Sequence, residues 1–137
     1  MALVERAESS SVAEILARRA TTDPEEDFLL HHDEVVTFGQ VDTRSDALAA
    51  SLDSLGIEAG DRVALLLPPC PEFVITLFAA AKLGAVIVPL NPHLTRPELQ
   101  YMLRHSEAAI AVTVEEHQGE DFIELFDELL PQLPELQ

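Results

Sequence analysis

The chain has 137 residues, 47% of them apolar, which fits one domain with a sizeable buried core. Its 25 acidic side chains outnumber 8 basic ones, for a formal charge of −17, and a field of that sign repels phosphate backbones and anionic membrane surfaces, so nucleic acid is excluded as an expected partner. A single cysteine, Cys70, allows no intramolecular disulfide and fits a reducing, cytoplasmic compartment.

In chain order, the opening stretch MALVERAESSSVAEILARRA has no basic region followed by an apolar core, so no secretory signal is expected. Ser11-x-x-Glu14 within it is a capping box, in which the hydroxyl accepts from a free backbone N–H and the acid reaches back. It predicts a short helix with Val12, Ile15 and Leu16 on one face. DFLLHHDEVVTF then reads as a β-hairpin, with apolar arms around a polar His-His-Asp-Glu turn. A second capping box, Thr37-x-x-Gln40, opens a helix from about Phe38 to Leu55, whose stripe is Val41, Leu48, Leu52 and Leu55 and whose stop is Gly56.

DRVALLLP is apolar on successive residues, the pattern of a strand covered on both faces of a parallel sheet. Pro71 sits just inside the next helix, where a missing N–H costs nothing. Phe73, Val74, Leu77, Phe78 and Ala81 recur there at helical spacing, Lys82 complements the negative helix end, and Gly84 supplies a left-handed cap. The window Phe73 to Leu90 is apolar enough to suggest a membrane span, but Lys82, Gly84 and Pro89 divide it into helix, turn and strand, so no transmembrane segment is expected. AVIVPL is predicted as a second doubly buried strand that ends in Pro-Leu-Asn-Pro. Thr95-x-x-Glu98 opens a helix carrying Leu99, Met102 and Leu103. AAIAVTV is the third buried strand, and GEDFIELFDELL a last helix with Phe122, Ile123, Leu125, Phe126, Leu129 and Leu130 inward.

Strands beginning at Arg62, Ala85 and Ala109 with helices between them are the βαβ pattern. The expected fold is therefore α/β: a three-stranded, mainly parallel sheet covered by helices, preceded by a helix and a hairpin. No linker divides residues 1–137.

The chemistry-bearing clusters are sparse. His31, His32, Asp33 and Glu34 are metal-ligand types, but neighbours on a tight turn point apart, and they read as a solvated turn. Cys70 near a helix start is placed for thiol activation, yet PPCP reads first as a stiff strand-to-helix corner. His93, His105 and His117 are scattered among loops and helix ends. Glu115-Glu116 and Glu120-Asp121 flank a turn as solvated charge and helix-start acids. G-x-G-x-x-G, G-x-x-x-x-G-K-[ST] and G-x-S-x-G are all missing from the sequence. The acidic surplus itself reads either as an ordinary solvated shell or as adaptation to high salt, where counterions screen the self-repulsion.

Gly56 to Val112 resembles the N-terminal portion of the AMP-forming, adenylate-forming ligases, the family of acyl-CoA synthetases, luciferases and peptide-synthetase adenylation domains. The likeness is carried in order by Gly60-Asp61-Arg62-Val63, Pro71-Glu72-Phe73, Lys82-Leu83-Gly84-Ala85, Pro89-Leu90-Asn91-Pro92 and Glu98-Leu99 before YMLRHSEAAIAV. Upstream, VVTFGQVDTRSDALAASL and SVAEILARRA extend it over nearly the whole chain. Pro69 departs from the polar residue, commonly Asn, that family members often carry there. The wording is most similar to acyl-CoA synthetases.

The resemblance implies a two-step reaction: a carboxylate attacks the α-phosphate of ATP to give an acyl-adenylate, and the thiol of CoA then displaces AMP. It implies a lysine-bearing phosphate loop, Mg²⁺, an acid on the ribose and a catalytic lysine, none of which is matched by a motif here; Lys82 belongs to a helix end. No catalytic, cofactor or metal residue is therefore carried over. The chain is expected to be an incomplete, N-terminal part of the ligase large domain, binding no ATP, Mg²⁺ or CoA alone and inactive alone. The alternative is a non-catalytic interaction module, or a split-gene subunit pairing with a separately encoded C-terminal part. An unrelated doubly wound protein would want acids or glycines at its strand ends, which read LPPCP, PLNPH and TVEEH.

Overall fold

A computed structural model describes residues 10–136, so residues 1–9, part of the stretch read as lacking a secretory signal, lie outside the described residues. Helix α1 (Val12–Thr22) starts at its predicted box: the Glu14 N–H donates to Ser11 Oγ at 3.2 Å and the Ser11 N–H to the Glu14 carboxylate at 2.7 Å. Only Leu16 of the three predicted inward residues is buried, while Val12 and Ile15 are exposed. The helix is an outer layer resting on later helices, so a single row of its side chains is covered.

Strands β1 (Asp27–His31) and β2 (Glu34–Thr37) form the antiparallel hairpin, with His31 opposite Glu34 and only His32 and Asp33 left to turn. His32 takes φ 53° to close it. Helix α2 (Phe38–Ser54) follows directly, capped by Thr37 and Gln40 and stopped by Gly56 at φ 89°. Its buried row is Val41, Ser45, Ala49 and Leu52, and Leu55, predicted inward, is 58% exposed. Ser45 tolerates full burial because its hydroxyl donates to the Asp42 carbonyl.

The central sheet comprises β3 (Arg62–Leu66), β4 (Val86–Pro89) and β5 (Ile110–Thr113) in the order β4-β3-β5, every pairing parallel. Strand β3 is the doubly buried one, and its alternation divides the core. Ala64 and Leu66 face a cluster built from α4 (Arg96–Ser106) and α5 (Phe122–Leu129), including Leu99, Leu103, Phe122 and Phe126. Val63, Leu65 and Leu67 face Ala49 and Leu52 of α2 and Ala79 of α3 (Pro71–Leu83). A third cluster of Leu16, Val36, Val41 and Ile75 packs α1 and the hairpin onto the outside of α2 and α3.

The two flanking strands correct the expectation of full burial. AVIVPL and AAIAVTV are apolar but lie at the sheet's sides, so β5 is half-buried throughout and Val86 of β4 is 49% exposed. Helix α3 is also turned from its predicted face. Its row Ile75, Thr76, Ala79 and Ala80 is buried, and Phe73, Val74, Leu77, Phe78 and Ala81 are only half-buried. The helix is apolar nearly all round, so periodicity alone does not pick the covered side. On α4 and α5 the predicted Leu99, Leu103, Phe122, Leu125, Phe126 and Leu129 are buried, whereas Met102 and Ile123 lie outward.

Gly84 caps α3 at φ 74°, and a Cβ there would sit 3.2 Å from the Ala59 Cβ. Its carbonyl accepts from the Gly60 N–H at 2.9 Å, bringing the turn before β3 against the turn before β4. A short ribbon, β6 (Glu116–His117) and β7 (Glu120–Asp121), links β5 to α5 around Gln118 and Gly119. Asp121 caps α5 by accepting from the Glu124 N–H at 2.9 Å.

Candidate functional site

Open parallel sheets bind ligands beyond the carboxyl ends of their strands. In this chain Leu66 ends β3, the Asn91–Thr95 turn follows β4, and the β6–β7 ribbon follows β5. Between them lies a cleft of about 340 Å³, floored by Leu66, Leu99, Phe122 and Leu125 and rimmed by Asn91, His93, Arg96, His117 and Glu120.

Each rim group is placed by local chemistry. Pro89, Asn91 and Pro92 end the strand and turn the chain, and the Asn91 side-chain oxygen accepts from the His93 N–H at 2.9 Å. The α4 start lies at the same edge. There the Thr95 N–H and hydroxyl both donate to the Glu98 carboxylate, at 2.8 and 2.7 Å. The Thr95 hydroxyl and then its backbone N–H hold the Glu98 carboxyl below the usual carboxylate value. Arg96 reaches over the cleft to Glu120 at 3.5 Å and pairs with Glu128 of α5. On the ribbon, the His117 ring lies against Phe122 with centroids 6.4 Å apart.

The fold brings together two histidines that looked scattered: the His93 and His117 rings are 6.2 Å apart. No sequence signal joins them, because the turn after β4 and the ribbon after β5 meet only through the sheet. The other candidates lie elsewhere. His105 stacks on Tyr101 along the exposed side of α4. The His31 and His32 rings pack edge to face at 4.3 Å on the hairpin. Glu115, Glu116 and Asp121 sit on the exposed surface around the ribbon.

Cys70 is the N-cap of α3 and lines a separate cleft of about 360 Å³ with Phe28, Leu29 and Phe73. Burial, aided by the Glu72 charge, pushes its thiol above the ordinary value, opposite to what activation by the helix dipole requires. Lys82, the chain's one lysine, is engaged by Asp42 and Asp46 of α2 and takes no part in either cleft.

A nucleotide's phosphates need lysine or free N–H groups, and its Mg²⁺ needs oxygen donors and water. The cleft presents two imidazoles, an arginine already matched by two carboxylates, and a helix start capped by its own glutamate. No lysine lines the cleft, and its carboxylate, Glu120, is already paired with Arg96.

The sequence profile described as "AMP-binding enzyme" matches residues 16–136. A feruloyl-CoA synthase of Amycolatopsis sp is 39% identical over 100 residues, covering 73% of this chain and 20% of that protein. The long-chain-fatty-acid–CoA ligase FadD13 of Mycobacterium tuberculosis is 38% identical over 100 residues, covering 72% of this chain and 20% of its own length. Among solved structures, the anthranilate CoA ligase AuaEII in complex with anthranoyl-AMP superposes with a TM-score of 0.83 at 31% identity, over 93% of this chain and 24% of that one. The chain spans about a fifth of the length of the curated relatives it matches. With the family profile matching residues 16–136 and the same fold recurring in a CoA ligase, the chain belongs to the AMP-binding enzyme family.

Proposed function

We propose that this chain is the N-terminal portion of an acyl-CoA synthetase of the AMP-forming type. In the whole enzyme a carboxylic acid, fatty or aromatic, is activated with ATP to an acyl-adenylate and handed to CoA in a reducing, cytoplasmic setting. The observation that carries the reading is the match to CoA ligases, over 73% and 72% of this chain and 20% of each relative in sequence, and over 93% of this chain and 24% of the other in structure. The chain's own share is structural: it supplies β3 and its two flanking strands with the helices that cover them. Alone it forms no adenylate, because Lys82 is committed to Asp42 and Asp46 and no lysine lines the cleft.

Two measurements test this. ATP–pyrophosphate exchange by the isolated chain over a panel of carboxylates is expected to stay at background, and turnover overturns the inactive reading. Replacing the matching segment of a feruloyl-CoA synthase with this chain is expected to keep thioester formation; an insoluble or inert chimera in which the parent segment works counts against the family role.

A second reading, an interaction module or split subunit, is favoured by one observation. Among the described residues β4 and β5 pair only with β3, leaving an unpaired edge on each side of the sheet. A stable, monodisperse species in size-exclusion chromatography favours the module, and aggregation favours the incomplete domain.

A further inference from the structure

We propose that β5, and not β4, is the docking edge of the sheet, and that its occupant is an apolar β-strand from the part of the ligase this chain does not span. The inference rests on the reading of the chain as a synthetase portion: the match covers 20% of each relative, so most of the enzyme remains to pack against it. Successive N–H groups of a strand in a parallel sheet point to opposite sides. In β4 the Val86 N–H donates to the Asp61 carbonyl at 2.7 Å and the Leu90 N–H to the Leu65 carbonyl at 2.8 Å, so even-numbered groups face β3. Ile87 and Pro89 therefore face outward, and Pro89 has no N–H. A proline so placed breaks the row of donors that an incoming strand needs. In β5 the Ala109 N–H donates to the Arg62 carbonyl at 2.8 Å, so the N–H groups of Ile110, Val112 and Val114 point away from β3, and that row is unbroken.

The side chains around β5 say what the incoming strand must be. IAVT carries neither charge nor proline, the usual guards of an exposed edge, and all four residues are half-buried. Ile110 and Val112 pack with the cluster under α2 and α3, and Ala111 with the one under α4 and α5, so both faces of the strand are apolar. On the α5 side Ala111, Thr113, Ile123, Phe126 and Leu130 line a largely apolar cleft of about 220 Å³, where Ile123 is still 49% exposed. A strand laid along β5 sets alternate side chains toward this cleft and toward the face of Ile110 and Val112. It must therefore be apolar on both faces, as β3 is.

The test is hydrogen–deuterium exchange by mass spectrometry on the isolated full chain and on its chimera with feruloyl-CoA synthase. The amides of Ile110, Val112 and Val114 should exchange at least about tenfold more slowly in the chimera, while that of Ile87 changes by less than about twofold. Val112→Pro breaks the β5 row as Pro89 breaks that of β4. It should leave the isolated chain folded by circular dichroism and abolish thioester formation by the chimera, and Ile87→Pro should do neither harm. Where either proline unfolds the isolated chain, exchange alone decides. An active chimera that gains no protection over residues 110–114, or gains it at Ile87 instead, overturns the edge and leaves the ligase reading intact. A chimera protected over residues 110–114 that forms no thioester overturns the ligase reading and not the edge. An insoluble chimera beside a soluble isolated chain overturns both. A dimer of the isolated chain already protected over residues 110–114 assigns the edge to a second copy and overturns the proposed occupant.

Discussion

The Lys82 ammonium donates to the Asp42 carboxylate at 2.7 Å and to the Asp42 carbonyl at 3.0 Å, tying the last turn of α3 to the first turns of α2. Asp46, one turn on, accepts from the same nitrogen at 2.6 Å. Burial alone would lower the Lys82 pKa, but hydrogen bonds and charge from Asp42 and Asp46 outweigh it and raise it above the ordinary 10.5. A cation with a raised folded-state pKa contributes stability that is full below its unfolded value and is lost as pH rises through the folded one. Lys82→Met is expected to cost about 2 kcal/mol at pH 7 in urea unfolding. The gap from the parent should hold between pH 7 and about 9 and narrow in the strongly alkaline range, as pH rises through the raised lysine value.

Cys70 should be a slow thiol. Its raised pKa leaves little thiolate at neutral pH, so alkylation by iodoacetamide at pH 8 is expected to run several-fold slower than for an unstrained peptide thiol. Glu72→Gln removes the nearby charge and should speed it. A rate faster than the peptide's would show that the α3 start activates the thiol after all.

The same sequence features that marked the helix starts succeeded because they are local. Ser11, Thr37 and Thr95 each meet a partner three residues on, and no tertiary contact is needed to bring Glu14, Gln40 or Glu98 within reach. Burial is a relation between elements, and there sequence reading was weaker. Leu55, Met102 and Ile123 continue apolar stripes yet lie outward, while Ser45 and Thr76 are buried where helices cross closely and their hydroxyls turn back to the helix carbonyls of Asp42 and Glu72. Strand order was equally hidden. AVIVPL and DRVALLLP read alike, and only the pairing of β3 with both neighbours reveals which of them is central. The cleft was missed for the same reason: Asn91, Arg96, His117 and Glu120 share no local motif.

That distinction is measurable. Leu99→Ala, emptying a site at 2% exposure between α4 and β3, should destabilise by about 2–5 kcal/mol in urea. Leu55→Ala, at 58% exposure, should change stability by less than about 0.5 kcal/mol. Equal costs would mean that the covered faces of α2 and α4 are assigned wrongly.

The acidic surplus makes a prediction about solvent. If the charge of −17 is an adaptation to salt, thermal unfolding in 2 M KCl, where screening lengths shrink to roughly 2 Å, should occur at least about 5 °C above that in 20 mM KCl. Coincident melting curves would mark the acids as an ordinary solvated shell.

The position of β3 has a consequence in time as well as in space. Its amides and carbonyls are bonded on both sides, and its side chains are covered on both faces. A proton on Ala64 or Leu66 can then leave for solvent only when the sheet comes apart around it, whereas those of β4 and β5 need only the fraying of one edge. Isotope exchange followed over hours would thus read the molecule from its flanks inward, the last label surviving on the strand that both neighbours in the sheet share.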